Sequence, residues 1–203
     1  MTHHQLTLPI SEQQVRALHV HDTVSLSGTL FGIRDANQIA LFDQGRPTRF
    51  DLSGAAAIHT APNVRRVAIS TDAPVGYAPL CIGTTTSTRM ERFTRPLLQK
   101  TGLRLILGKG GLLEDSLAAM AQFGAAYLSV TGGAAALETT WISRIDDVDM
   151  DDLHPESLWK FQVHDFGPLL VSMDSHGGNL YHEVATLAAS RREAALRLLG
   201  IAA

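Results

Sequence analysis

Cysteine is almost absent: Cys81 is the only one among 203 residues. A single thiol excludes an internal disulfide framework. It also excludes a cysteine-built zinc or iron–sulfur site made from this chain alone, because those take three or four thiolates. A reducing, cytoplasmic compartment is the simplest expectation. Lysine is scarce too. Of 17 cationic side chains only Lys100, Lys109 and Lys160 are lysine, and the rest are arginine. The formal net charge of −3 argues against a general nucleic-acid binder, which would carry a basic face. Arginine's planar fork pairs with carboxylates and phosphates, so the bias suits acidic small molecules, although a plain surface preference explains it as well. No apolar run approaches the ~20 residues that span a bilayer, and Met1 to Leu18 has no apolar targeting core. What is present is an ordinary mixture, 45% hydrophobic and 18% charged, long enough for one sizeable core.

The hydrophobic pattern predicts alternating strands and helices. Ser11-Glu-Gln-Gln14 has the form of a helix-start capping box, with Val15 and Leu18 on the buried side. Thr23 to Phe31 reads as a strand, and Arg34 to Asp43 as a short helix closed by Gly45. Ala55 to His59 and Val64 to Ser70 read as strands around an Ala61-Pro62-Asn63 turn. The hydroxyl-rich turn Cys81 to Met90 leads into a helix. Leu103 to Leu107 is an apolar strand, and Gly108-Lys-Gly-Gly111 opens a helix with Leu113, Leu117, Met120 and Phe123 at helical spacing, capped by Gly124. Ala126 to Val130 follows as a strand. This is a βαβ unit, which favours parallel pairing. Trp159 to Val163 and Leu169 to Met173 read as two later strands, and Tyr181 to Leu199 as a C-terminal helix. His3-His4 reads as a flexible terminus.

Several motifs fail on inspection. Gly102 to Lys109 lacks the P-loop spacing and its Ser/Thr, and Gly108-Lys-Gly110 does not continue as GxGxxG. Asp147, Asp149, Asp151 and Asp152 imitate a calcium loop, but the sixth position is Asp152 where Gly is needed and the twelfth is Leu158 where Glu is needed. A solvated acidic loop is the expectation there. The nine histidines, His19, His21, His176 and His182 among them, come with no paired glutamate motif, so no metal site is expected. Three polar clusters remain at strand ends: Arg34-Asp35, Thr84 to Arg89, and Lys109 between glycines. Strand ends of α/β sheets are where ligands bind. Arg89 follows Thr85 by four residues, so on a helix both face one way. Glycines beside Lys109 let a ligand approach the backbone closely. Two arginines, a lysine and a hydroxyl cluster suit a dicarboxylate.

Taken together, six blocks resemble the β-subunit, or C-terminal domain, of class I fumarate hydratases and L(+)-tartrate dehydratases. They are Ser27 to Ala36, Ile58-His-Thr-Ala-Pro62, Gly83 to Glu91, Leu107-Gly-Lys-Gly-Gly111, Val130 to Leu137, and Leu158 to Phe166. The resemblance implies an α/β fold: a swivelling three-layer β/β/α domain with a mixed or parallel sheet, one domain over residues 1–203. It implies a hydro-lyase that works only with an α-type partner subunit, which carries the [4Fe–4S] cluster, and a homodimer of αβ pairs. By motif, Arg34, Arg89 and Lys109 would hold the substrate carboxylates, with Thr86 beside them. Thr85 would be the base at the reacting carbon. A threonine hydroxyl needs a neighbouring cation to act as a base, and Lys109 is the candidate. With the cluster on another chain, Cys81 is expected to be a packed core residue.

Three positions depart from the family's pattern. Gln38 stands where the family's Arg-Asp-x-x-His has histidine. Thr84 replaces the proline of Gly-Pro-Thr-Thr-Ser. His21-Asp22 stands where Gly-Asp usually enters the first long strand. The missing histidine motivates a second reading: a stand-alone binding or structural homologue of the same fold that has lost hydratase activity.

Overall fold

The computed structural model describes residues 1–201, Ala135 by its backbone only. In chain order the elements are β1 (His3–Thr7), α1 (Glu12–Arg16), β2 (Thr23–Ile33), α2 (Asp35–Gln38), β3 (Ala56–His59), β4 (Asn63–Arg66) and β5 (Tyr77–Cys81). Then follow α3 (Glu91–Thr101), β6 (Leu105–Gly108), α4 (Glu114–Phe123), β7 (Ala126–Ser129), α5 (Ala135–Thr140), β8 (Ile142–Asp149), β9 (Leu158–Met173) and α6 (Leu180–Leu198). The fold is α/β with a mixed sheet. β1, β2, β3, β6 and β7 run parallel, whereas β9 pairs antiparallel with β7, β8 and β2. Because β9 meets both β7 and β2, the five strands β2, β3, β6, β7 and β9 close into a ring.

Successive residues of a strand point to opposite faces, and here both faces are buried. Ala56 and Ile58, Leu105 and Leu107, and Ala126 and Leu128 point into one core, against Trp159, Phe161 and Phe166 of β9. The intervening Ala57, Ile106 and Tyr127 point into a second core, under Leu97 and Leu98 of α3 and Ala119 and Met120 of α4. Strand on strand on one side and strand on helix on the other make three layers. The doubly buried strands explain why their sequence reads as short apolar runs with no polar alternation.

Several expectations need correction. His3-His4 is part of a strand, not a loose terminus: His3 Nδ1 lies 2.9 Å from Thr23 Oγ1, and the Thr2 amide donates to Asp22 at 2.6 Å. The Val64 to Ser70 strand is shorter, Asn63–Arg66, and pairs antiparallel with Tyr77–Cys81, whose Pro79 obscured it in the sequence. Cys81 is exposed at the end of that two-stranded hairpin, next to the likewise exposed Leu80, so it is not core. The two late strands are one bent β9 whose bulges accommodate Gly167 and Pro168. The Arg34–Asp43 helix is α2 continued as a wider π turn over Ile39–Asp43. Finally, the acidic segment is not a solvated loop. Asp147 and Asp149 belong to β8 and bind Arg49, Asp147 at 2.6 Å, while Asp152 takes Arg46 at 2.7 Å. The Arg49 guanidinium holds the Asp147 carboxyl below the usual carboxylate range.

His21, where the family pattern has glycine, lies at φ 76° in the left-handed region that favours glycine. Its Nε2 lies 2.9 Å from Glu183 Oε2, a contact that ties the side chain down.

Candidate active site

Parallel pairing gathers the site. Ile33 at the end of β2 is level with His59 at the end of β3, and Ile58 is level with Leu107 of β6. The residues that leave these three strands at their C-terminal ends therefore emerge side by side: Arg34-Asp35, Thr60, and Lys109. The segment Thr84 to Ser87 lies across those ends. Thr84 bridges to Thr60, the Thr85 amide donates to the His59 carbonyl at 2.7 Å, and Thr86 bridges to Lys109. The Ser87 amide donates to the Lys109 carbonyl at 3.0 Å.

The side chains connect in the same order. Asp35 accepts from Arg89 at 3.0 Å and stands 3.5 Å from Arg34 Nε. Arg34 also meets Glu156 at 3.3 Å. Arg89 donates to Thr85 Oγ1 at 3.4 Å. Arg34, Thr85 and Lys109 are half-buried, while Thr86 and Arg89 are exposed. All five sequence-derived candidates thus share one edge of the sheet. The cation in contact with Thr85 Oγ1 is Arg89, and Lys109 meets this segment through the backbone of Thr86.

Gln38 is buried and turned inward. Its amide donates to the Arg34 carbonyl at 3.4 Å. Beside it, Asn37 accepts from the Arg34 amide at 3.2 Å and donates to the carbonyls of Glu156 and Ser157. These two residues fix the backbone that carries Arg34. The histidine's replacement therefore reads here as a change in support.

Sequence reasoning missed the layer beneath. His59 is fully buried, and its Nδ1 lies 2.8 Å from Ser87 Oγ, which lies 2.8 Å from the Tyr127 hydroxyl. Burial pushes the imidazole down to about 3 and the phenol up, so both are neutral at pH 7. The signal for this network was present in the Ile58-His-Thr-Ala-Pro62 block, but a histidine in an apolar strand reads first as core. Gly108 passes through the middle of it: a Cβ there would lie 1.9 Å from Ser87 Oγ. Glu138 was also missed. It is 1% exposed at the end of α5, and neither carboxyl oxygen has a hydrogen-bond partner among the described residues. Nothing in its sequence context announces it.

The histidines form no metal centre among the described residues, where no group of three or more His, Cys, Asp or Glu could hold an ion. His19 stacks on His176 at 4.4 Å, and His182 pairs with Glu114 at 3.0 Å. No helix of the described residues is long and apolar enough to cross a membrane.

This three-layer α/β domain gathers two arginines, a lysine and two threonines along the C-terminal edge of its parallel strands, residue types that suit an anionic ligand. Residues 2–184 match the Fumarase C-terminus family, and the chain belongs to that family. It is 37% identical over 189 residues to an L(+)-tartrate dehydratase subunit beta of Escherichia coli strain K12, covering 93% of this chain and 91% of that one. A putative L(+)-tartrate dehydratase subunit beta of Methanocaldococcus jannaschii is 33% identical over 180 residues, 86% of this chain and 89% of the relative. A putative fumarate hydratase class I of Geobacillus stearothermophilus is 34% identical over 180 residues, which cover 88% of this chain and 34% of that longer protein.

Proposed function

We propose that this chain is the cytoplasmic β-subunit of a two-subunit hydro-lyase of the tartrate dehydratase or fumarate hydratase type, acting on a hydroxy-dicarboxylate. The observation that carries this reading is the run of contacts from Arg34 through Asp35 and Arg89 to Thr85, with Lys109 bridged to Thr86. The names of the relatives agree with it.

In this reading Arg34, Arg89 and Lys109 hold the two carboxylates, and the exposed Thr86 hydroxyl adds a donor. Thr85 Oγ1 takes the proton from the carbon next to a carboxylate. That proton is weakly acidic, so charge builds on an enolate-like oxygen as it leaves. Fixed cations aimed at that charge are the largest catalytic contribution such a site makes. Arg89, donating to Thr85 Oγ1, favours the hydroxyl's loss of its own proton. Asp35, between the two arginines, sets their spacing.

One cysteine cannot by itself ligate an iron–sulfur cluster, which takes three or four thiolates. That cysteine is exposed, and the described residues hold no ligand group. The [4Fe–4S] cluster belongs, in this reading, to the α-type partner, and the enzyme assembles as a homodimer of αβ pairs.

The test is co-expression with an α-type subunit under anaerobic conditions, followed by assays on malate, fumarate and tartrate. A stable complex with turnover on at least one of them is expected. No complex and no turnover on any of the three would end the assignment. Dicarboxylate binding by a chain that never turns over, with or without a partner, would favour the stand-alone homologue.

A further inference from the structure

Arg34 is held at its Nε. That atom is buried between two carboxylates, 3.3 Å from Glu156 Oε1 and 3.5 Å from Asp35 Oδ2. Neither contact has hydrogen-bond geometry, so the hold is one of charge. The terminal Nη nitrogens make no hydrogen bond among the described residues. That end of the guanidinium is left to present paired N–H donors to a planar anion, the way arginine meets a carboxylate.

The two acids differ. Asp35 is the neighbouring residue and shares its carboxylate with Arg89 at 3.0 Å. Glu156 reaches in from the segment that enters β9, 120 residues beyond Ala36. Its Oε2 accepts the Ala36 amide at 2.8 Å, one of the donors that a helix start leaves without a partner. In return, Asn37 Nδ2 donates to the carbonyls of Glu156 and Ser157 at 2.9 and 3.0 Å. The Glu156 amide donates to the Leu153 carbonyl at 2.9 Å. Main chain and side chain of Glu156 are both tied, so its carboxylate cannot swing away from Arg34. The Glu156 side chain is 25% exposed, and solvent screens the pair less than it would on the open surface. A long side chain that is already held gives up less freedom when it binds a ligand.

We propose that Glu156 is a positioning residue for Arg34: it fixes the Nε side of the guanidinium, so that the Nη side is preorganised for a carboxylate of the substrate. The substrate role rests on the hydro-lyase reading; the hold on Arg34 does not.

Glu156→Gln isolates the charge, because the amide oxygen can still accept from Ala36. In the complex with the α-type subunit, E156Q should raise KM for the dicarboxylate by about threefold to tenfold and leave kcat within about twofold. E156D keeps the charge on a shorter stem and should fall between wild type and E156Q. In an Arg34→Ala background E156Q should leave kcat/KM unchanged, because Glu156 acts through Arg34. An unchanged KM in E156Q, or an equal effect in both backgrounds, would overturn the positioning role. A second arm uses no substrate. The full-length chain and its E156Q and E156D variants are treated with phenylglyoxal, and modification of Arg34 is read by peptide mass spectrometry relative to the exposed Arg192 of α6. Release should speed labelling of Arg34 by about threefold or more in E156Q, with Arg192 unchanged and E156D intermediate. Unchanged labelling in E156Q, with a melting transition that shows it folded, would overturn the hold itself. Should E156Q fail to fold, E156D labelling no faster than wild type would do the same. Faster labelling of Arg34 in a complex that turns over none of the acids would support the hold and remove the substrate assignment alone.

Discussion

Gly108→Ala is the substitution whose cost the structure specifies best. Gly108 ends β6 where that strand crosses the buried His59–Ser87–Tyr127 network. An added methyl would lie 1.9 Å from Ser87 Oγ, 2.7 Å from the Tyr127 hydroxyl and 3.3 Å from His59 Nδ1. None of these is the free end of a long chain. Ser87 is fully buried, and its Oγ is committed to partners at 2.8 Å on both sides. To admit the methyl, Ser87 must move and lose both contacts. Overpacking of this kind costs about 1–3 kcal/mol, and each lost neutral hydrogen bond about 1 more. The sum is about 3–5 kcal/mol, which lowers the melting temperature of a domain this size by roughly 10 °C. Calorimetry measures it. Gly45→Ala is the control: φ is +67° but nothing lies within 4 Å, so only the backbone cost of about 1 kcal/mol applies. Adding Ser87→Ala to Gly108→Ala should recover part of the loss, because it removes the nearest atom. If Gly108→Ala melts no lower than Gly45→Ala, the reasoning about this close approach is wrong.

Two further outcomes are expected. His59 stays neutral in the fold down to about 3, while the unfolded chain protonates it near 6.5. The unfolded state then binds the extra proton, so this contribution is complete above pH 6.5 and is lost as pH falls, at about 1.4 kcal/mol per unit. Between pH 7 and pH 5, urea unfolding should show wild type losing about 2 kcal/mol more than His59→Asn; equal losses would contradict a buried neutral imidazole. Arg89→Ala removes the cation that touches both Asp35 and Thr85, and kcat/KM of the reconstituted complex should fall by about 10²–10³. A fall of less than tenfold would place the carboxylate elsewhere.

The parallel strands β3, β6 and β7 were legible because each is a short apolar run closed by a glycine or a polar turn. The clustering of Arg34 and Lys109 could be anticipated for a related reason: they follow β2 and β6, whose ends parallel pairing sets side by side, and the Thr84–Arg89 segment lies across those ends. What was hidden depends on long-range pairing. β1 is polar and forms only because β2 offers it an edge anchored by Asp22. β8 is strongly acidic and looks like a loop until Arg49, about a hundred residues away, pairs with its Asp147 and Asp149. β5 carries proline and a cysteine at its exposed edge. Glu138 and the His59 network show the same limit at the site. Their meaning lies in what they pack against, and no local pattern records that.

The central claim is that Thr85 is the proton-handling group of a carboxylate-binding half-site. It is tested most directly by Thr85→Ala in the complex with the α-type subunit, measuring dicarboxylate affinity and turnover on the same preparation. The arginines and Lys109 remain in place in that variant, so affinity should stay within about threefold while kcat falls by about 10³ or more. Turnover within tenfold of wild type would contradict the account.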